Sequence, residues 1–501
     1  MQRRPWLTTF RRLSSPRPAI PRLSIPPRYH YEISSRCLSS EASTPKLRFG
    51  QPTFETHPHL LKSGEVTPGC SALEYAMRRA KLASELPDGG LAICASSYVK
   101  YRSGPVFYEF HQDPDFYYLT GFLEPEAVCV MEKTGPDGEH IFHMFVRDKD
   151  DKAELWDGAR SGVQAAVDVF NADEAGNIDH LHTHLAPLIE KAEFIYADIK
   201  PTPRRPASVF STLFSSGGPD NMNFTSMLEG KRTGSLKHLM HKLRVFKSVP
   251  EVANMRKAGK ISGRAINMAM QNKFTEEKNL WAFLEYQFKI AGCERSAYVP
   301  VVAGGRNACT IHYTRNDDIL RDGEMVLVDA GGQYGGYSTD ITRTWPISGR
   351  FTPAQRDLYQ AVLNVQKLCV ALCREDAKLS LDEIHGVAEL GLKDELKSLG
   401  FDISDRAMEV LFPHHLGHFV GLDIHDSGSY SRNLKLKTSQ CVTIEPGIYV
   451  PDDERWPKHF RGMGIRIEDS VCVGEEAPLV LSVEAAKEVV DIEALGESHA
   501  Q

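Results

Sequence analysis

The stretch from Val326 to Trp345 (VLVDAGGQYGGYSTDITRTW) constrains this chain more than any other. Two β-rich runs flank a glycine-rich centre, so it reads as a hairpin. Asp329 and Asp340 are equidistant from the point between Tyr334 and Gly335. A symmetric turn there sets the two carboxylates opposite each other, with Cβ atoms about 5 Å apart. Like charges so placed repel, and they call for a cation or a shared proton. The plainer alternative has one aspartate capping the turn and the other facing solvent.

Three later segments carry more groups of the same kind. HHLGHFVGLDIHD holds His414, His418 and His425; TIEPGIY ends an apolar run on Glu445 and continues to Tyr449; GIRIED alternates Arg466 and Glu468 with Ile465 and Ile467. That alternation puts Arg466 and Glu468 on one strand face, and a glutamate among core isoleucines needs a partner if it is buried. Each such residue alone is best read as structural. Their accumulation on strand-like segments favours a metal centre. The spacing of His414 and His418 is that of a zincin helix, but position 415 is His, and Gly417 breaks a helix. Serine-nucleophile, Walker and dinucleotide-binding loops are absent.

The rest of the chain divides by pattern. Residues 45–240 read as a mixed α/β domain, with a helix over 73–86 and strands at 92–94, 116–119, 127–131 and 141–146. Residues 215–235 are polar and suit a linker or an exposed loop. A second, α+β domain spans 244–490. Its helices start at Ser248/Glu251, Thr352/Gln355 and Ser380/Glu383, each a capping box, and its strands are expected at 324–330, 337–345, 440–445 and 464–473. In the first helix Val252, Met255, Ala258, Ser262, Ala265 and Ala269 recur at helical spacing.

Charge separates off a third piece. Residues 1–40 carry eight arginines, no lysine and one acid, Glu32, for a net +7, while the whole chain is −7. Interleaved serines and prolines without an apolar run give the signature of an organelle transit peptide. Arg36-Cys37-Leu38 resembles a matrix-processing site. The alternative is a basic tail. The acidic remainder argues against a nucleic-acid partner, and no apolar run is long enough for a transmembrane helix. Ten cysteines are widely scattered, which suits reduced thiols better than a disulfide framework. Cys369 and Cys373 share an apolar helix face.

Taken in order, Asp329, Asp340, His418, Glu445 and Glu468 resemble the metal centre of the pita-bread metallopeptidases. The segments DFYYLTGF (115–122) and ELWDGAR (154–160) resemble the aminopeptidase P branch. The leader makes the resemblance strongest to its mitochondrial members, of Xaa-Pro-cleaving or intermediate-cleaving type. The resemblance implies a creatinase-like α/β N-terminal domain and a C-terminal pita-bread catalytic domain. It implies two divalent metal ions, usually manganese. Asp329 would chelate one, Asp340 and Glu468 would bridge, and His418 and Glu445 would complete the second site. Four carboxylates and one imidazole suit manganese better than a thiolate-type zinc site.

Glu445, His312 and His425 are the implied catalytic residues. His312, His414, His425, Tyr449 and Arg466 are implied to contact substrate. The implied activity is hydrolysis of the first peptide bond of peptides or proteins, in or facing the mitochondrial matrix. Substrates would be either Xaa-Pro ends or intermediates left by presequence cleavage, which would lose one apolar residue. A homodimer is implied by analogy. A dipeptide-specific prolidase and a non-catalytic pita-bread binding module are the alternatives; the latter class lacks ligands that are all present here.

Overall fold

In the computed structural model, residues 48–198 and 227–497 are described. The leader and most of the expected linker lie outside them. The N-terminal half is built on a six-stranded mixed sheet. Its strands are β1 (Gly90–Ala95), β2 (Val128–Lys133), β3 (His140–Val146), β4 (Glu174–Asn177), β5 (Phe194–Ala197) and β6 (Arg232–Gly234), in spatial order β6-β5-β1-β2-β3-β4. Helix α1 (Ala72–Glu85) starts on the Ser71 hydroxyl, which accepts the Glu74 N–H, and buries Tyr75, Leu82 and Ala83.

Two expectations fail in this half. Residues 116–119 are not a strand but part of helix α2 (Pro114–Thr120). The Asp113 carboxylate accepts the N–H groups of Asp115 and Phe116, Pro114 occupies the first turn, and Gly121 closes the helix at φ 67°. Phe116 through Thr120 are all buried. A helix buried all round has no polar face, so its apolar run mimics a strand. The second failure is at 232–234, within the expected linker. There the chain adds β6, parallel to β5.

The C-terminal half opens with α3 (Val249–Met270), which carries the expected capping box. Met255, Ala258, Ser262, Ala265 and Ala269 are buried as the spacing requires, and Val252 is half-buried. The other two capping boxes start α4 (Pro353–Ala371) and α5 (Leu381–Ser398). All nine described cysteines are free thiols. No described helix is long and apolar enough to cross a membrane.

The aspartate-bearing hairpin forms with a register different from the symmetric one. Strands β7 (Met325–Asp329) and β8 (Thr342–Pro346) pair so that Asp329 faces Thr342, and Tyr334 faces Tyr337 at the tip. The turn is therefore Gly335-Gly336, at φ 58° and 81°. Left-handed values at both positions match the twist of a two-residue hairpin. The two aspartates are thus offset rather than opposite. A Cβ on Gly336 would lie 2.7 Å from the Tyr117 ring, and the Tyr117 hydroxyl donates to the Gly335 carbonyl at 2.9 Å. Glycine is needed here both for its φ and because the N-terminal half packs against the tip.

Of the last two expected strands, 440–445 forms as one strand and is followed by an unexpected short one, whereas 464–473 is broken in two. Strand β9 (Cys441–Ile444) pairs with β12 (Asp469–Cys472), and β10 (Gly447–Tyr449) pairs with β11 (Gly464–Arg466), all antiparallel. Glu445 and Glu468 fall in the gaps between successive strands. Their side chains leave the ladder where four chain segments meet.

Candidate metal centre

The five expected ligands arrive from four directions. Asp329 ends β7, Asp340 precedes β8, Glu445 follows β9 and Glu468 lies between β11 and β12. His418 comes from an extended segment that runs beside β9, with Thr443 N–H donating to the His418 carbonyl at 2.8 Å and Glu445 N–H to that of Leu416 at 2.7 Å. A Cβ on Gly417 would come within 1.8 Å of the Thr443 carbonyl oxygen. This glycine permits close backbone approach, and the zincin helix is absent.

Asp340, His418 and Glu468 each offer one donor atom, all within 4.8 Å of one another, which is the sole such group among the described residues. His418 Nε2 lies 3.5 Å from Asp340 Oδ2 and 3.6 Å from Glu445 Oε1. Its Nδ1 is 3.1 Å from the Phe419 carbonyl. That carbonyl needs a donor, so Nδ1 keeps a proton, and it is from Nε2, facing the carboxylates, that a proton must leave for the ring to ligate. The tautomer so left is the one a metal requires.

Arg466 organises one wall. Its guanidinium donates to Asp329 Oδ2 at 2.6 Å, to the Tyr449 hydroxyl at 2.7 Å and to Thr342 Oγ1 at 3.1 Å. Thr342 in turn donates to Glu468 Oε2 at 2.7 Å, so Arg466 and Glu468 share a side as the alternation predicted. His414 contacts the His415 carbonyl through Nδ1 and the Tyr449 hydroxyl through Nε2, both at 2.8 Å. The carbonyl fixes the proton on Nδ1, so Tyr449 donates to His414 while accepting from Arg466.

His425 and His312 take outer positions. The exposed His425 ring meets His418 edge to face at 4.3 Å between centroids. His312 is exposed on the loop after the helical turn Gly305–Cys309.

Four contributors escaped the sequence reading. The Tyr298 hydroxyl lies 2.6 Å from Asp329 Oδ1 and 2.7 Å from Asp340 Oδ1. Ser470 accepts the Asp340 N–H at 3.0 Å and donates to its carbonyl at 2.9 Å. Thr342 is the third, and Thr443, which donates to Glu445 Oε1 at 3.3 Å, is the fourth. The threonines and the serine stand within two residues of ligands in the quoted motifs, which was a usable signal. Tyr298 stands 31 residues before Asp329 in no motif, and only folding brings it in.

Electrostatics show that the cluster is short of positive charge. Burial, then the neighbouring Asp340, Glu445 and Asp329, push the Glu468 carboxyl well up. Burial also raises Asp329, against the pull of Arg466, and lifts Glu445 to about 7 despite His418 and Arg466. Burial opposes a charged His418, but the hydrogen bond to Asp340 and the charge of Glu445 outweigh it and raise the imidazole to about 9. Asp340 is desolvated too, yet His418 holds it below the usual carboxylate range. Burial keeps His414 neutral, lowered to about 4. Protons and Arg466 thus share the neutralising of four carboxylates, a task divalent cations perform better. The donor set of carboxylate oxygens and one imidazole fits hard divalent ions.

A pH dependence follows. Glu445 and His418 must lose their protons to ligate, so metal affinity is expected to weaken as pH falls through about 7 and to strengthen toward about 9. Calorimetric titration in buffers of different ionisation enthalpy should show net proton release at neutral pH. A proton count of zero would contradict this charge distribution.

Residues 253–475 match metallopeptidase family M24, and residues 75–196 match the N-terminal domain of aminopeptidase P. Intermediate cleaving peptidase 55 of Saccharomyces cerevisiae is 47% identical over 449 residues, 89% of this chain and 88% of that protein. The chain belongs to metallopeptidase family M24. Rat Xaa-Pro aminopeptidase 3 is 37% identical, over 90% of each protein. The mitochondrial intermediate cleaving peptidase 55 of Arabidopsis thaliana is 36% identical, over 90% of this chain and 88% of that one.

Among solved structures, Icp55 from Saccharomyces cerevisiae superposes with a TM-score of 0.79 at 44% identity, covering 86% of this chain and 99% of that chain. Zinc-substituted E. coli aminopeptidase P in complex with product gives 0.78 at 31% identity, covering 86% and 99%. This M24 protein is accordingly a metallo-aminopeptidase, with an aminopeptidase P-type N-terminal domain and a pita-bread C-terminal domain. Membership of the family implies divalent metal ions. The relatives support a mitochondrial location.

Proposed function

We propose that this M24 aminopeptidase removes one large apolar residue from the N-terminus of proteins that a presequence peptidase has just cut, on the matrix side of the inner membrane. The observation that carries the catalytic part is the convergence of Asp340, His418 and Glu468 with Glu445 and Asp329 beside them. The arginine-rich leader and the 47% identity to a fungal intermediate cleaving peptidase support the substrate class. The second reading, cleavage of Xaa-Pro ends, rests on the 37% identity to Xaa-Pro aminopeptidase 3.

Two divalent cations, manganese in this reading, would be held by Asp329, Asp340, His418, Glu445 and Glu468; they lower the pKa of water and polarise the scissile carbonyl. The remaining work belongs to side chains. Glu445, lifted to about 7 by burial, is poised to take a proton from the attacking water at neutral pH. His425 and His312, both exposed, would donate to the developing oxyanion or the leaving nitrogen. His414, Tyr449 and Arg466 form one hydrogen-bonded wall for the substrate. If the scissile bond precedes proline, its tertiary amide offers no N–H, and recognition must come from shape and imidazole contacts of this kind.

The test is a comparison of mitochondrial protein N-termini in cells with the enzyme and in cells carrying an inactive form. We expect a set of proteins that keep one extra Tyr, Leu or Phe in the inactive strain. Identical N-termini would sink the processing reading. On the purified enzyme, cleavage of tripeptides but not of Xaa-Pro dipeptides separates an aminopeptidase from a prolidase.

A further inference from the structure

We propose that Cys441 and Cys472 form a dithiol that a peroxide closes to a disulfide, covalently joining the strand that leads into Glu445 to the strand that follows Glu468. The two cysteines are direct cross-strand partners in the β9–β12 ladder. Such partners point to the same face. Their Cα atoms stand about 4.5 or about 5.5 Å apart, depending on the ladder position. Both separations fall within the roughly 4.4–6.8 Å that disulfides span, so the bond needs little backbone movement. Among the described residues, the Cys472 thiol otherwise reaches only the Val473 carbonyl, at 3.9 Å. Both cysteines are buried free thiols.

A second facing pair, Cys94 and Cys129, lies in the β1–β2 ladder. The two pairs differ in the charges around them. Cys472 and burial raise Cys441, and Glu251 adds to this, but the buried ammonium of Lys247 acts on both Cys441 and Cys472 and favours a thiolate. The carboxylates of Asp113 and Asp115 act on Cys94 and oppose one. Because the thiolate is the reactive form, the pair in the metal-binding half should close first. Within that pair Cys472 is the attacking sulfur. The adjacent Cys441 thiol holds it below its usual value and Lys247 adds to this, with burial working against both.

The step balances as follows. The Cys472 thiolate attacks one peroxide oxygen, the O–O bond breaks, and the departing oxygen leaves as water after protonation. The sulfur is now a sulfenic acid. Cys441 attacks it, the S–S bond forms, the S–O bond breaks, and a second water leaves with the thiol proton. Two thiols are oxidised and one peroxide is reduced to two waters. The loop so closed contains Glu445, Tyr449, Arg466 and Glu468. Restricting it in the unfolded chain stabilises the fold around the site.

The full chain, metal-loaded and reduced, is treated with hydrogen peroxide, alkylated in denaturant and mapped by mass spectrometry without reduction. We expect a peptide pair joined through Cys441 and Cys472 that appears before any Cys94–Cys129 pair. It should vanish on adding dithiothreitol and be accompanied by a reversible rise of several degrees in melting temperature. Cys472→Ala should lose both the cross-link and the rise; the parent map decides the matter by itself if that variant folds poorly. Recovery of Cys441 and Cys472 as separate alkylated or sulfinic peptides, while the half-buried Cys309 is oxidised, would overturn the proposal. So would earlier closure of the Cys94–Cys129 pair.

Discussion

Asp340→Ala is expected to reduce turnover by at least about 10³-fold, equivalent to about 4 kcal/mol of barrier, and to leave the purified protein nearly free of metal. Asp340 faces His418 Nε2 at 3.5 Å, accepts from Tyr298 and is one of the three residues whose donor atoms converge. The substitution removes a ligand that no neighbour can replace, because Ser470 and Tyr298 hold the surrounding backbone and Asp329 in place. The fold itself should survive. Burial and the Asp340 charge raise Glu468, so deleting that charge relieves repulsion in the metal-free protein. Glu468→Ala should behave alike. Elemental analysis and steady-state rates on the same preparations check this, and full activity in either variant would refute the assigned metal centre.

Arg343→Leu is expected to destabilise the protein by roughly 3–5 kcal/mol, the cost of stranding a buried charge whose partner is removed. Arg343 and Asp469 are both fully buried, 2.8 Å apart. The guanidinium also donates to the carbonyls of Thr342, Ala485, Ala486 and Glu468. Lys487, Gln366 and Ser482 would remain on Asp469, but the four carbonyls would lose this donor. Because one of these carbonyls belongs to Glu468, metal retention should fall with stability. Thermal unfolding of the metal-free protein isolates the first effect. A melting temperature unchanged from the parent would show that the pair is dispensable.

Helix starts were legible because capping is local. Ser248, Thr352 and Ser380 each bond within four residues of themselves, and all three boxes form. The face of α3 was legible because its period is intrinsic to the helix. Residues 116–119 were misread because burial on every side, a tertiary fact, erased the polar face that marks a helix. The hairpin register was misread for a related reason. Equal spacing suggested a turn between Tyr334 and Gly335, whereas left-handed torsions at Gly335 and Gly336, and the Tyr117 hydroxyl on the Gly335 carbonyl, set it one residue later.

What the sequence determined by itself was which residues can bind metal. Asp329, Asp340, His418, Glu445 and Glu468 are chemically suited, and their motifs are written in the chain. What only the tertiary structure decided was how they become a site. Breaks in two strand pairs expose Glu445 and Glu468, a close backbone approach at Gly417 brings His418 alongside β9, and Tyr298 and Arg466 reach Asp329 from distant segments. The physical reason is range. Capping and periodicity act over a few residues, whereas the desolvation that raises Glu445 and the charges that raise His418 exist only once the four segments have come together.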